Sequence, residues 1–483
     1  MIRKRFRLYS YHTFLVIPFI VLFLYGNNMG QTSPEMTYRT LLAGMVVSVV
    51  LFGFVYLFIR DRLKTGVLVT IILFALFQYG VVYEFFERQY YQGSWPFSNI
   101  HRYLVAAYLV LFTGLFVFIS RSPRDFIRIN YFLNILIFIL LIYNLIRINN
   151  SQLLENRTRA GIPETQDSIR FKGNRRPDIY YIILDGYASG NVLQKYFGFS
   201  NKEFTSRLRA LNFSIADSAF SNYYYTSHSL CATLNMRYLE PSENTASLLK
   251  NNNVFETFKN NGYRIYHLFS GYAVTSSFTA ADSTIYIDGP NEFEKSLLKY
   301  TILRLDDLIG LFAHQRLQSQ FGKMMDMAAI RATPKFCFLH IVAPHPPYIF
   351  HRDGRIRTRH RFAESSWEPR EFYIDQLVYV NRQITKLLHR ILSVNPNSVI
   401  ILQSDHGPWI ASPDREQVFD ARSHILYAIH NANSRVPHST SSVNTFRQLF
   451  NSLFNTGLPL LPDKFAGKDL LLKDPIFLKR VRK

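Results

Sequence analysis

The first 150 residues of this 483-residue chain contain five long apolar segments without Asp, Glu, Lys or Arg. They are Tyr9–Tyr25, Leu41–Ile59, Thr65–Tyr83, Tyr103–Ile119 and Tyr131–Ile146. Each is close to the roughly 17–20 residues that an α-helix needs to cross the hydrocarbon core of a bilayer. A soluble domain of almost purely apolar helices is the alternative, and such helices are uncommon outside membranes. The pattern therefore predicts an α-helical membrane domain with five spans over residues 1–148.

Basic residues cluster at alternate ends of these segments. The clusters are Arg3, Lys4, Arg5 and Arg7; Arg60, Arg62 and Lys64; and Arg121, Arg124 and Arg128. Short loops that are rich in Lys and Arg remain in the cytoplasm. The first segment lacks a following small-residue cleavage site, so we expect a retained helix rather than a signal peptide. The N-terminus is then cytoplasmic, and the chain after Ile146 lies on the periplasmic or extracellular side of the cell (inner) membrane.

The formal net charge of +21 favours an anionic partner. Neither a zinc-finger spacing nor an RNA-binding aromatic motif accompanies this charge, so a membrane surface is expected and nucleic acid is not. The chain has two cysteines, Cys231 and Cys337, both within apolar local sequence. We expect two buried free thiols, although a single disulfide is arithmetically possible.

The remainder of the chain has the composition of a globular domain. Residues 149–176 are polar and show no periodicity, which predicts a surface linker. Between residues 177 and 467, helical patterns separate apolar runs at Ile179–Leu184, Tyr263–Phe269, Phe336–Val342, Val399–Leu402 and Ile425–Ile429. This alternation predicts an α/β domain with a mainly parallel sheet between layers of helices. Residues 468–483 form a basic C-terminal tail.

Two of the apolar runs end in acidic residues, although they lie more than two hundred residues apart. Asp185 follows the first run and Asp405-His406-Gly407 follows the run that begins at Ser398. Because parallel strands carry their ligands at their carboxyl ends, these side chains are candidates for a common site. Two carboxylates and an imidazole suit a divalent cation. Asp185 could alternatively cap a helix, which is the commoner role of a lone Asp after a strand.

Hydroxyl residues cluster before a helical stretch at Thr226, Ser227 and Ser229. They could be helix caps, or one of them could be a nucleophile at a helix N-terminus, where backbone N–H groups favour an incoming anion. Spacing alone does not decide which hydroxyl that would be. Two histidines follow in another strand and its loop: His345 lies among prolines and could act on a leaving oxygen, whereas His340, inside the strand, could equally belong to the core.

Four motifs taken together resemble the alkaline phosphatase/sulfatase superfamily. They are Asp185 after a strand, Thr226 within an Asn-Tyr-x-x-Thr-x-x-Ser pattern, the loop Pro344–Tyr348, and Ser404–Pro408. They are most similar to the membrane-anchored phosphoethanolamine transferases and lipoteichoic acid synthases, which join five membrane helices to an extracytoplasmic catalytic domain. The resemblance covers about residues 177–467, and the order of the motifs is more specific than any single motif.

The resemblance implies a ligand set and a nucleophile. Asp185, Thr226, Asp405 and His406 would coordinate one divalent metal ion, Zn²⁺ or Mn²⁺, with Thr226 as nucleophile. His345 would contact the transferred group. The further candidates for substrate binding are Ser229, His340 and His424.

Two departures from the family pattern accompany the resemblance. The relatives usually have Glu where this chain has Asp185. The segment Cys231–Asn235 lacks the Pro and Arg of the Cys-x-Pro-x-Arg motif that sulfatases convert to formylglycine, so sulfate-ester hydrolysis is disfavoured.

The expected function is the metal-dependent transfer of a phosphoryl-linked head group, through a phosphothreonine intermediate. The donor would be a phospholipid and the acceptor an envelope glycan or lipid. Hydrolysis by the same residues, with water as acceptor, is the first alternative. A non-catalytic membrane receptor or scaffold is the second.

Overall fold

The computed structural model describes residues 9–29, 32–91, 100–160, 169–303, 306–357, 367, 369–432 and 439–468. The chain separates into two units. One unit comprises Met1–Gly161 together with Asn291–Leu305, and the other comprises Ile162–Pro290 together with Asp306–Lys483. The basic tail predicted for residues 468–483 lies almost entirely outside the described residues, and the predicted domain boundaries remain predictions.

The first unit begins with the predicted apolar helices. They are α1 (Tyr11–Asn27), α2 (Tyr38–Ile59), α3 (Arg62–Tyr91), α4 (Ile100–Arg121) and α5 (Ile127–Ala160). Among the described residues, four segments are long and apolar enough to cross a membrane: Pro34–Ile59, Arg62–Glu87, Ile100–Arg121 and Ile127–Asn150. Helix α1 is apolar but has only 17 residues. The apolar helical region is therefore confirmed, whereas the count of five spans remains a prediction.

The five helices form a bundle in which α1 packs against α2, α3 and α5, and α3 packs against α4. Lys64 Nζ donates to the carbonyl oxygen of Ser122 at 2.6 Å, which joins two of the basic loops at one end of the bundle. At the other end, Arg147 donates to the carbonyl oxygen of Gly26 at 3.0 Å. The two basic clusters within the described residues, at 60–64 and 121–128, therefore share one end of the bundle.

Helix α5 corrects one expectation from the sequence. Residues 149–160, predicted to belong to an irregular linker, continue α5 as regular helix up to Ala160. Once a helix is established, each further residue adds a backbone hydrogen bond at small cost, so the polar composition of this segment did not end the helix.

The second unit contains a seven-stranded sheet in the order β2-β8-β7-β1-β6-β4-β5. The strands are β1 (Ile179–Leu184), β2 (Phe213–Ile215), β4 (Arg264–Leu268), β5 (Ser283–Ile285), β6 (Lys335–Ile341), β7 (Val399–Gln403) and β8 (Tyr427–His430), while β3 (Ser218–Phe220) and β9 (Ser439–Ser441) pair separately. Strand β8 pairs antiparallel with both β2 and β7, and the other pairings in the seven-stranded sheet are parallel. The predicted mainly parallel α/β architecture is confirmed, with β1 central between β6 and β7.

Helices connect these strands. They are α6 (Gly190–Phe197), α7 (Lys202–Ala210), α8 (Thr226–Asn235), α9 (Thr245–Lys250), α10 (Asn253–Asn260), α11 (Glu292–Tyr300, which belongs to the first unit), α12 (Asp306–Ala328), α13 (Arg370–Val394), α14 (Arg415–Ser423) and α15 (Thr445–Phe454).

The core of the second unit explains why β1 is apolar throughout. Ile179, Tyr181 and Ile183 on one face of β1 pack in a cluster with the apolar faces of α8, α10 and α15. The intervening side chains of β1 are also fully buried, so both faces of the sheet are covered, as expected for a parallel sheet. Cys231 and Cys337 are buried free thiols, as predicted from the sequence.

Candidate active site and metal centre

Three neighbouring strands bring their polar residues to one edge of the sheet. Asp185 directly follows β1, His340 is the penultimate residue of β6, and Asp405 and His406 follow β7. All four side chains are almost completely buried. Asp185, His340 and Asp405 each offer one ligand atom within 4.8 Å of the others. The order of the strands therefore assembles residues that are distant in the sequence.

The atoms of this cluster lack the partners that buried polar atoms require. Within the described part of the chain, Asp185 Oδ1, His340 Nε2 and Asp405 Oδ2 are buried without a hydrogen-bond partner. Leaving such an atom unsatisfied costs about 1–3 kcal/mol, and more when it is charged. A divalent cation would satisfy all three atoms at once, and two carboxylates with imidazole form a suitable donor set for Zn²⁺ or Mn²⁺. The residues present therefore fit a metal ion.

His406 is held with its Nε2 atom towards the same centre. This nitrogen lies 3.3 Å from Asp405 Oδ2 and 3.6 Å from Asp185 Oδ1. Nδ1 donates to the carbonyl oxygen of Gly407 at 3.1 Å, which leaves the lone pair on Nε2. Burial and the nearby Arg422 guanidinium hold the pKa of His406 well below its usual range, so the ring is neutral. A neutral imidazole with this tautomer is the form that coordinates metals.

The two carboxylates differ in protonation. Burial and the negative charge of Asp185 raise the pKa of Asp405 to about 7. Burial also acts to raise the pKa of Asp185, but the nearby imidazoles of His345, His340 and His406 outweigh burial and bring that pKa below its usual value. Two buried carboxylates this close to each other do not readily carry a full negative charge at the same time. This is a further reason to expect a cation between them.

Thr226 is the first residue of α8, and its hydroxyl faces the centre. Its Oγ1 lies 3.2 Å from His406 Nε2. The same side chain acts to lower the pKa of Asp405, although burial outweighs this effect. The competing hydroxyls have other roles: Ser229 Oγ donates to the backbone carbonyl of Asp405 at 2.6 Å, and Ser227 Oγ lies 3.1 Å from His228 Nδ1. The structure therefore distinguishes the three hydroxyls as candidate nucleophiles, which their spacing in the sequence did not.

The turn after Asp405 and His406 requires glycine. A Cβ atom on Gly407 would overlap the carbonyl oxygen of Ala421 in α14. The amide of Gly407 also donates to the carbonyl oxygen of Arg422 at 2.7 Å. Close backbone packing between this turn and α14 therefore sets the direction in which the Asp405 and His406 side chains leave β7.

His345 lies at the margin of the cluster. Its amide donates to the carbonyl oxygen of Asp185 at 3.0 Å, and its Nδ1 donates to the carbonyl oxygen of Pro346 at 2.7 Å. The ring centre is 6.3 Å from that of His406 and 4.8 Å from that of Trp367. The loop is therefore anchored to the backbone of a candidate ligand.

His424 has a separate environment among the described residues. Its Nδ1 lies 3.0 Å from Asp420 Oδ1, one helical turn earlier at the end of α14. His340, by contrast, joins the candidate ligands, with Nε2 3.6 Å from Asp185 Oδ2 and Nδ1 2.8 Å from Thr275 Oγ1. The sequence had grouped the two histidines together as possible substrate contacts, and those roles remain predictions.

Arg422 was not predicted from the sequence to belong to the site. Its guanidinium is buried: Nη2 donates to His406 Nε2 at 3.1 Å and Nη1 to the carbonyl oxygen of Gly407 at 2.7 Å. The group lies 4.8 Å from the ring centre of Trp409. An arginine within a short polar helix carries no sequence signal for such a position, because only the packing of α14 on the β7 turn brings it there.

A buried cluster of potential ligands beside a hydroxyl at a helix N-terminus defines a candidate metalloenzyme site. The sulfatase family model matches residues 177–433, which is more than half of the chain. The chain therefore belongs to the sulfatase family and is an enzyme of the alkaline phosphatase superfamily. This membership sets aside the receptor or scaffold alternative.

Several solved structures are similar to the chain. Lipooligosaccharide phosphoethanolamine transferase A from Neisseria meningitidis is 15% identical, with 72% of this chain and 68% of that chain covered and a TM-score of 0.42. The zinc complex of the periplasmic domain of phosphoethanolamine transferase C from Escherichia coli is 15% identical, with 58% and 83% covered and a TM-score of 0.38. Phosphonate monoester hydrolase of Agrobacterium radiobacter is 14% identical, with 58% and 74% covered and a TM-score of 0.38. No curated protein sequence matches the chain.

Proposed function

We propose that this protein is a membrane-bound, metal-dependent transferase. It would move a phosphoryl-linked head group, of the phosphoethanolamine or phosphoglycerol type, from a phospholipid to an envelope glycan or lipid outside the cytoplasm. The observation that carries the proposal is the hydroxyl of Thr226, 3.2 Å from His406 Nε2, beside three buried ligand atoms without partners among the described residues.

Asp185, Asp405, His406 and Thr226 would hold one divalent ion, Zn²⁺ or Mn²⁺, and the position of His340 Nε2 adds it as a candidate ligand. When bound, such an ion promotes ionisation of a neighbouring hydroxyl and offsets charge on phosphoryl oxygens. The N-terminus of α8 presents backbone N–H groups next to Thr226, and these also favour an anionic phosphoryl group.

The protein residues would act in two half-reactions. Thr226 Oγ1 loses its proton to solvent, attacks phosphorus and forms a phosphothreonine ester, while the P–O bond to the lipid alcohol breaks. His345, whose Nδ1 already donates to Pro346, has Nε2 available to give a proton to the departing oxygen when the ring is protonated. The acceptor hydroxyl then attacks the phosphothreonine, and Thr226 leaves as the hydroxyl.

Membership in the sulfatase family favours hydrolysis as the second candidate, with water replacing the acceptor. Hydrolysis of a sulfate ester is the least favoured form. Cys231 is fully buried in α8, and the residues that follow it lack the Pro and Arg of the formylglycine motif. A phosphodiester or phosphomonoester remains compatible with Thr226 as nucleophile.

The test is mass spectrometry of the intact protein after exposure to phospholipid vesicles labelled in the head group. We expect a head-group adduct on Thr226 that is absent from Thr226→Ala. Labelled head group should then pass to an added glycan or lipid acceptor. Release of free head group at the same rate with and without acceptor would identify a hydrolase, and a protein without adduct or turnover would refute both functions.

A further inference from the structure

A short excursion of the chain leaves the catalytic unit and returns to it. Residues Asn291–Leu305, which include α11, belong to the unit of apolar helices, whereas the residues on both sides belong to the catalytic unit. The chain therefore passes between the units at three places rather than one. Just before the excursion, the Asp288 amide donates to Ser319 Oγ of α12 at 2.7 Å, within the catalytic unit. Only two residues, Gly289 and Pro290, separate this anchor from Asn291.

Polar contacts join the start of the excursion to the start of α2. Asn291 Nδ2 donates to the carbonyl oxygen of Met36 at 3.0 Å, and Asn291 is itself buried. Arg39 Nε lies 3.2 Å from Glu294 Oε1, whose side chain is mostly buried. Asn291 and Glu294 also cap α11 reciprocally. The first turn of α11 is thus ordered by the same two residues that contact the helical bundle.

The end of α11 packs on α3 by direct contact of the two backbones. A Cβ atom on Gly80 would overlap the carbonyl oxygen of Lys299 and would lie 2.6 Å from Tyr300 Cα. Small residues in membrane helices allow this close approach, and a larger side chain would force the two segments apart. The absence of a side chain at Gly80 therefore allows the backbone of Lys299 and Tyr300 to lie against α3. Gly114 in α4, by contrast, has no described atom within 4 Å of the equivalent position.

Apolar contacts flank the glycine on both sides. The ring of Tyr300 lies 6.0 Å from that of Phe77, and Ile302 packs against the buried cluster of Tyr79, Ile100 and Leu104. All of these contacts lie at the end of the bundle opposite to the basic loops, which is the end predicted to face away from the cytoplasm.

We propose that residues 291–303 are a docking element through which the catalytic unit is attached a second time to the outer end of the membrane helices. The polypeptide between Ala160 and β1 would then not be the sole tether. The element limits how far the catalytic unit can move from the bilayer. It therefore favours substrates that are part of the bilayer. This last consequence rests on the proposed lipid-linked function, whereas the docking itself does not.

Docking is tested by cross-linking the full-length protein in lipid nanodiscs. Arg39→Cys and Glu294→Cys are combined and treated with a short bifunctional thiol reagent; the native thiols are buried, so background reaction is low. We expect an intramolecular cross-link. Adding Gly80→Ala should slow its formation about tenfold, whereas adding Gly114→Ala should not. Absence of the cross-link in the parent pair, or equal rates in the two glycine variants, would overturn the docking element.

The consequence for substrates is tested with two phosphodiesters in parallel: head-group-labelled phospholipid in vesicles and soluble bis(p-nitrophenyl) phosphate. Gly80→Ala should slow turnover of the lipid about tenfold relative to Gly114→Ala and leave turnover of the soluble ester unchanged. Equal effects on both esters would overturn the preference for bilayer substrates. If the unmodified protein acts on neither ester, the proposed function fails, while the cross-linking result still decides whether the element docks.

Discussion

At the scale of single residues, the site depends on a few buried atoms whose partners come from other strands. Asp185, His340 and Asp405 come together only because β1, β6 and β7 lie side by side. Their burial means that a change at any one alters the environment of the others. Substitutions here are therefore best compared with matched residues outside the cluster.

Thr226→Ala should abolish head-group transfer, with a fall of about a thousandfold or more, because the neighbouring hydroxyls of Ser227 and Ser229 are bonded elsewhere. Thr226→Ser should retain measurable activity, since it keeps the oxygen. The matched control is Ser229→Ala, which removes the hydrogen bond to the Asp405 backbone but not the nucleophile. Initial rates and adduct mass together distinguish these cases. A normal adduct in Thr226→Ala would exclude Thr226 as the nucleophile.

His340→Ala should weaken metal binding by about 10–100-fold, because His340 Nε2 lies within the group of potential ligands. His424→Ala should leave metal affinity unchanged, since that ring is paired with Asp420. Competition with a chromophoric chelator measures both. Equal affinities in the two variants would assign His340 to the core rather than to the metal site.

Metal affinity should also depend on pH. The pKa of Asp405 in the metal-free fold is raised to about 7, so below that pH a proton competes with the cation. His406 adds no competing proton because burial keeps its pKa well below the usual range. We expect the apparent affinity to fall about tenfold for each pH unit below 7 and to level off above it. A chelator titration between pH 5 and 8 that showed no slope would contradict the protonation of Asp405.

At the scale of elements, the β7 turn and α14 determine the positions of the candidate ligands Asp405 and His406. Gly407 packs against the backbone of Ala421, and Arg422 in the same helix donates to His406. A change in this contact should therefore affect stability and metal binding together.

Gly407→Ala should destabilise the protein by about 2–4 kcal/mol and weaken metal binding, because the added carbon displaces the turn from α14. Gly190→Ala is the matched control, since it lies at the start of α6 with no described atom within 4 Å of the added carbon. Thermal unfolding of the full-length protein in detergent, with and without metal, gives both quantities. Similar melting temperatures for the two variants would show that the turn relaxes without cost.

At the scale of the whole molecule, the metal should contribute to the stability of the catalytic unit. Binding to the native state alone stabilises it by about 4 kcal/mol at a thousandfold excess over the dissociation constant. Chelation should therefore lower the melting temperature of the catalytic unit. Asp405→Asn should remove most of this metal-dependent difference. Because the variant also removes charge repulsion with Asp185, its metal-free form should melt no lower than the metal-free parent. An unchanged metal-dependent shift in Asp405→Asn would exclude Asp405 as a ligand.

Local patterns in the sequence were sufficient for much of this fold. Ile179–Leu184 is apolar throughout because both faces of β1 are buried, and the predicted strand coincides with the observed one. The apolar segments of the first 150 residues were equally clear, because each lacks charge over nearly a membrane thickness. Motif order was sufficient to identify the superfamily, which the family match over residues 177–433 confirms.

Contacts between distant residues were not accessible in this way. His340 was indistinguishable from a core histidine until β6 was placed beside β1, and Arg422 gave no signal at all. Residues 291–303 were predicted from the sequence to belong to the α/β domain. Lys299 and Tyr300 nevertheless pack on α3, because Gly80 permits a close approach of the two backbones. Periodicity and composition report on neighbours along the chain. The spatial partners of the buried carboxylates, and of the excursion that contains α11, were decided only when the tertiary structure brought separate elements together.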